Sequence, residues 1–287
     1  MVIKKTSFSN FKECYEISEN GAKLIVASDI GPRIVFFGKN KNVLFIDEKL
    51  ELGRGDWKIY GGHRFWTSPE TEDTYNPDNE KCEVIENSNS ITISKLDKKT
   101  MLEKKIEIKI ENDEFVVKHI LTNKGEMLYH AGIWALTCIV PEGKIFFPWV
   151  SQGEWRMKKI IFWEKWPGQS TNINSSNFIK GEDLFIIEIN GEMAKLGTTG
   201  YGGFLGVSNK DYTFIKKFDF IQGAIYPDDN CAIEVYTSKK FCELETLSPM
   251  VTLIPGSPLI HTERWKYIDK YIDPLNEKSI KDIVISN

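Results

Sequence analysis

Residues 104–111 read KKIEIKIE, which puts Ile106, Ile108 and Ile110 on one face of an extended segment and Glu107, Lys109 and Glu111 on the other. Side chains alternate across a strand, so this segment is a half-buried antiparallel strand with one dry and one wet face. Shorter runs of the same kind cover 22–27, 34–37, 83–85, 90–94, 115–121, 184–189 and 232–236. Between them stand Asn20-Gly21, Gly38 with Asn40, Asn112-Asp113, Asn123-Lys124-Gly125, Asn190-Gly191 and Asp228-Asp229-Asn230, residues that tolerate tight turns. Many short strands joined by polar turns predict an all-β sandwich or barrel. A short amphipathic helix is expected only in the tail, over 276–283.

Composition narrows the function classes. With 287 residues and 41% hydrophobic content the chain can bury a large core. It shows no repeat and no Pro/Ser/Gly linker, so one domain over 1–287 is expected. A net charge of −4 gives no basic field for a phosphate backbone, which argues against nucleic acid. No apolar run reaches membrane-spanning length and residues 1–13 lack the apolar core of a signal peptide, so no membrane is expected and the cytoplasm is the expected compartment. The five cysteines are odd in number and scattered, without a CxxC pair, and read as reduced thiols. Cys138, in an apolar run, reads as a small hydrophobe, with a nucleophile as the alternative. His63, His119, His130 and His261 show no metal-ligand spacing, so no metal is expected.

Candidate chemistry sits in a few segments. Glu243 and Glu245 lie at i and i+2, so a strand turns both carboxyls to one face; they are either a solvated surface pair or a cleft pair whose repulsion and burial raise a pKa. The segment 61–70, GGHRFWTSPE, gathers an imidazole, a guanidinium and an indole beside a glycine turn. Arg64 offers a fork of donors for hydroxyls or carboxylates and Trp66 a flat platform for a sugar ring; the alternative is an Arg64 ion pair with Glu70 or another acid and Trp66 as core. His119 shares a face with Phe115, Val117 and Leu121 and reads as a core histidine. His130, at the start of an apolar run, is a candidate acid. His261, Glu263 and Trp265 alternate on one face, as strand surface or as a support for Trp265.

Between residues 143 and 176 alternation weakens and aromatics accumulate, Trp149, Trp155, Trp163 and Trp166 among them, which suggests a binding loop. The turn at 226–230 places Asp228 as a ligand candidate. Arg54-Gly55-Asp56 and Asn174-Ser175-Ser176 match an adhesion tripeptide and a glycosylation sequon, and without a secretion signal both read as chance.

GPRIVFFG from Gly31, GGHRFWTSPE from Gly61, FVVKHILTNKGE from Phe115 and ELETLSP with LIPGSPLIHTERW near the end together resemble the galactose mutarotase-like (aldose 1-epimerase-like) superfamily, in a divergent branch. The resemblance covers about residues 15–268, leaving 269–287 as a tail. It implies a large antiparallel β-supersandwich with a sugar cleft across one sheet. It also implies ring opening and closing between sugar anomers without a cofactor, a late glutamate taking the anomeric proton and a histidine protonating the ring oxygen. Glu245, ahead of Pro249, matches that glutamate better than Glu243, and Arg64 matches an early cleft arginine. The family's Asn-His-aromatic context is replaced here by Tyr129-His130-Ala131, so the acid is His130 or His63.

The expected site therefore comprises Glu245, His130 and His63 for catalysis, with Arg64, Trp66, Asp228, Glu243 and Trp149 around the substrate. The expected partner is a monosaccharide or, if Arg33, Arg64 or Arg156 receives a phosphate, a sugar phosphate. The rival from another class is a non-catalytic carbohydrate-binding protein using the same cleft. A glycosidase or lyase ranks last, because neighbours at i and i+2 emerge side by side rather than across a scissile bond.

Overall fold

The computed structural model of the chain describes residues 2–53, 55–151 and 153–285. Arg54, the first residue of the adhesion-like tripeptide, and the last two residues of the expected tail lie outside the described residues.

Two large antiparallel sheets pack face to face. The first runs in the order Val2–Phe8, Phe11–Glu19, Ala22–Ala27, Arg33–Gly38, His63–Ser68, Tyr129–Ile139, Cys242–Leu247, Ile233–Thr237, Ala194–Thr198 and Ile161–Phe162, with Val251–Leu253 pairing the start of Tyr129–Ile139. The second runs Phe178–Lys180, Leu184–Glu188, Lys144–Pro148, Phe204–Ser208, Thr213–Phe218, Pro258–Ile268, Glu114–Asn123, Leu102–Glu111, Ile91–Asp97 and Glu83–Glu86. The KKIEIKIE segment lies within Leu102–Glu111, where Ile106 and Ile108 are fully buried. It turns into Glu114–Asn123 through Asn112 and Asp113, both at positive φ, as the tight turn requires. The expected tail helix is Glu277–Ile285.

Alternation assigns every residue of the central strands to one of two faces. Along Cys242–Leu247, Cys242 and Leu244 enter the core between the sheets together with Ile233, Val235, Phe214 and Trp265. Glu243, Glu245 and Leu247 face the other way, and there Trp66, Trp134, Leu136 and Leu247 form a separate apolar cluster. The register brings this face together: Leu136 pairs Arg64 on one side and Glu245 on the other, Trp134 pairs Trp66 and Leu247, and Glu245 pairs Glu234. The same glycines that mark the GGHR segment set its path. Gly61 and Gly62 both take positive φ, and a Cβ would meet the Phe45 carbonyl oxygen at 2.1 Å or the Ile34 carbonyl oxygen at 2.3 Å. No other residue fits that close approach.

His261, Glu263 and Trp265 are buried rather than on a strand surface, because Pro258–Ile268 is an interior strand of the second sheet and turns this face toward the first; of the two readings, the support for Trp265 is the one met, since Glu263 accepts the Trp265 indole N–H.

Candidate active site, a carboxyl-rich aromatic cleft

The outer face of the first sheet carries a cleft of about 240 Å³. Its floor is the apolar cluster already described, with Arg64 and Trp66 from one strand and Trp134 and Leu136 from the next. Trp57 and Tyr75 extend the aromatic side: the Trp57 ring lies 5.6 Å from Trp66 and 5.1 Å from Tyr75, and Trp66 lies 5.7 Å from Trp134. Trp163, Trp166 and Gln169 close the opposite wall. Between the walls stand four acids, Glu70, Asp228, Glu234 and Glu243, and one lysine, Lys195.

Lys195 organises the acids. Its Nζ lies 2.6 Å from Glu234 and 2.7 Å from Glu245, and it sits over the rings of Trp134 and Trp163 at 5.2 and 5.5 Å. Glu245 is completely buried, and its carboxylate also accepts the Trp134 indole N–H at 2.5 Å. Burial disfavours the Lys195 charge, yet the two carboxylates outweigh it and hold the ammonium above the usual lysine range. One cation cannot neutralise two buried carboxylates, so one of them keeps its proton. Burial, opposed by Lys195 and aided by the Glu245 charge, pushes Glu234 up to about 8. Glu234 binds Lys195 through Oε2, while its other oxygen, Oε1, is buried without a hydrogen-bond partner.

Glu243 is half-buried on the same face. Burial and the Glu245 charge push it up to about 7, and Cys138 donates its thiol hydrogen to Glu243 Oε1 at 3.3 Å. The Cys138 thiol is pushed well up by burial and then by Glu243, which suits a buried hydrophobe with a weak donor rather than a nucleophile. Arg64 stacks 3.9 Å over Trp66, lies 3.9 Å from Asp78 and has a buried, unbonded Nη1. Burial and the nearby Arg33 charge bring it down to about 10, so it stays charged at neutral pH.

No family model matches the chain, and no curated protein matches its sequence. Solved structures match it along nearly its whole length. A galactose mutarotase-like protein from Clostridium acetobutylicum superposes with a TM-score of 0.59 over 93% of this chain and 98% of that one, at 10% identity. A galactose mutarotase-like protein from Lactobacillus casei gives 0.57 over 88% and 99%, also at 10% identity. A galactose mutarotase related enzyme from Lactobacillus acidophilus gives 0.51 over 91% and 100%, at 14% identity. The fold is galactose mutarotase-like. At such identities the likeness establishes the galactose mutarotase-like architecture and leaves the chemistry to the residues.

Within the galactose mutarotase-like fold, Arg64, Trp66, Asp228 and Glu243 line the cleft, and Glu245 lies beneath its floor with both oxygens bonded to Lys195. The candidate acids stand elsewhere. His130 is exposed where Tyr129–Ile139 pairs with Val251–Leu253, and its Nδ1 lies 3.0 Å from the Thr252 hydroxyl. His63 alternates with Arg64, so it points between the sheets and is fully buried there. Trp149 packs under Lys158 and against Phe185, away from the cleft. Neither histidine nor Trp149 lines the site. Of the arginines considered for phosphate, Arg33 is buried and bonded to the Gly61 carbonyl and Asp78, and Arg156 pairs with Asp183 and Glu182.

Glu234, Lys195, Glu70, Trp57, Tyr75 and Tyr236 went unassigned from sequence. A signal did exist for Glu234: a lone acid between Ile233 and Val235 in an otherwise apolar strand.

His63 belongs to a second polar cluster, between the sheets. His119 Nδ1 faces the His261 carbonyl oxygen at 2.9 Å, which can only accept, so that nitrogen carries a proton. His119 Nε2 then accepts from His63 Nε2–H at 2.7 Å, and His63 Nδ1 accepts from the Thr137 hydroxyl at 2.8 Å. Lys216 donates to Thr137, to the Leu244 carbonyl and to Glu263, and Glu263 also accepts from Thr246 and from the Trp265 indole at 2.7 Å. His63, His119 and Glu263 bring ligand atoms within 4.8 Å of one another, a convergence that the sequence spacing did not show. Those ligand atoms are engaged in hydrogen bonds, and the Lys216 ammonium occupies the negative side of the group. The arrangement is a polar strut that ties the strand carrying Glu245 to the opposite sheet.

Proposed function

We propose that the cleft binds a monosaccharide and interconverts its anomers by general acid–base catalysis. The observation that carries this reading is Glu234: its Oε2 is tied to Lys195, while Oε1, buried and without a partner, belongs to a carboxyl that retains its proton near neutrality. A sugar ring stacks its C–H face on the indole floor and offers hydroxyls to Arg64 and Asp228. Glu243 in its ionised form takes the anomeric proton as the C1–O ring bond breaks, and Glu234 delivers a proton to the ring oxygen. Rotation about the C1–C2 bond and the reverse transfers close the ring in the other configuration. The two groups need unlike protonation states, and Glu245 raises both while remaining bonded to Lys195. In this reading the base role belongs to Glu243 rather than Glu245, whose oxygens are occupied, and the acid is a carboxyl rather than a histidine.

The substrate of this reading is unphosphorylated, because each arginine considered for phosphate is buried, stacked or paired. A second reading is supported by one feature: no histidine lines the cleft among the described residues, which favours a carbohydrate-binding protein without turnover. NMR exchange spectroscopy between the α and β anomers of a panel of aldoses separates the two. Exchange faster than in buffer supports the epimerase; saturable shifts without faster exchange support the binding protein.

A further inference from the structure

The cleft has more acid than it neutralises. Four lining carboxyls face two cations, and a fifth, Glu245, lies directly beneath. Both cations are committed: Lys195 bridges Glu234 and Glu245, and Arg64 is stacked on Trp66 next to Asp78. Among the described residues Glu70 and Asp228 share the rim without an ion pair of their own; the Lys195 charge reaches Glu70 and is opposed there by the Glu245 and Asp228 charges. The Tyr75 hydroxyl donates to Glu70 and fixes it beside the Trp57 and Trp66 rings.

Aromatic faces and carboxylates together are an environment for a cation rather than for an anion. The cleft already accommodates one: the Lys195 ammonium rests between two carboxylates and over two indoles. We infer that the preferred substrate is an amino sugar, with its ammonium held at the rim by Glu70 and Asp228 while the pyranose lies on the Trp66–Trp134 floor. This inference rests on the sugar-binding reading and specifies its substrate class. A bound ammonium supplies the missing cation, and the repulsion among the carboxyls becomes attraction to the ligand.

The test compares D-glucosamine, D-glucose and D-glucose 6-phosphate, which share a ring and differ in charge, by quenching of tryptophan fluorescence at neutral pH and by anomer exchange. Glucosamine binding at least about tenfold tighter than glucose is expected, the size of one charge-assisted hydrogen bond. In Glu70→Gln this preference falls toward unity while glucose still binds; in Asp228→Asn it also falls toward unity, with glucose itself weakened because Asp228 receives a sugar hydroxyl as well. Asp228 has φ +50°, which asparagine tolerates, so Asp228→Asn keeps the backbone. A circular dichroism melt verifies folding of each variant.

Equal or tighter binding of glucose, with exchange intact, overturns the amino-sugar inference and leaves the anomerase standing. Tightest binding of the phosphate overturns it as well. No binding of any of the three removes both this inference and the sugar-binding reading beneath it. A preference that survives Asp228→Asn and Glu70→Gln overturns the rim assignment.

Discussion

Glu234 and Glu245 stand directly opposite each other on adjacent antiparallel strands, both buried, with the Lys195 ammonium within 2.7 Å of each. Like charges in such cross-strand positions repel, and only the intervening lysine makes the pair tenable. The same arrangement leaves one proton over, which turns a structural necessity into a source of acid.

Removing that lysine should therefore do more damage than removing a surface charge. Lys195→Met is expected to lose about 3–5 kcal/mol of stability, the range for an uncompensated buried charge. Adding Glu234→Gln to Lys195→Met should recover part of the loss. Urea denaturation of the single and double variants measures both effects.

Activity should follow a bell-shaped pH profile. The base, Glu243, becomes ionised as pH rises through about 7, and the acid, Glu234, loses its proton through about 8, so the maximum falls between those limbs. The two limbs belong to the coupled carboxyl group as a whole. Glu234→Gln should abolish the alkaline limb and most of the rate, and initial rates across pH read both.

The buried histidines should cost stability on the acid side. Burial holds His63 and His119 below the usual histidine range and brings His261 down to about 3, so all three are neutral in the folded protein. The unfolded chain binds protons first, at about 6.5. The stabilisation is complete above that value and is lost progressively as pH falls toward the folded values. Glu234 and Glu243, raised in the folded protein to about 8 and about 7, contribute the opposite trend on acidification. The histidine contribution is therefore read in thermal melts as the difference between wild type and a His261→Gln variant, whose Tm should fall less below about pH 6.5.

The turn that aims Arg64 should be intolerant of side chains. Gly62→Ala would place a Cβ 2.3 Å from the Ile34 carbonyl oxygen at φ +74°, and it should destabilise by about 1–3 kcal/mol. A chemical melt quantifies it.

The strands were legible because alternation such as Ile106, Ile108 and their charged partners is a local property, and the turn residues between them are local too. The Glu243/Glu245 pair and the Arg64/Trp66 pair were legible for the same reason, since a period of two fixes which residues share a face. His63 shows the limit. It neighbours Arg64 in sequence and so faces away from it, into the core. His119 and Glu263 meet it there only because distant strands pack across the sheets. Glu234 and Lys195 required the pairing order of three strands, a relationship that no single segment carries.

In the proposed reaction ionisable Glu243, rather than the bonded Glu245, takes the anomeric proton. Polarimetry of freshly dissolved α-anomers, run with the wild-type protein and with Glu243→Gln, decides between the two glutamates. Faster equilibration than in buffer with the wild type, reduced by at least about a hundredfold in the variant, is the predicted result. Equal acceleration by wild type and Glu243→Gln, or none by either with neutral and amino aldoses, would contradict it.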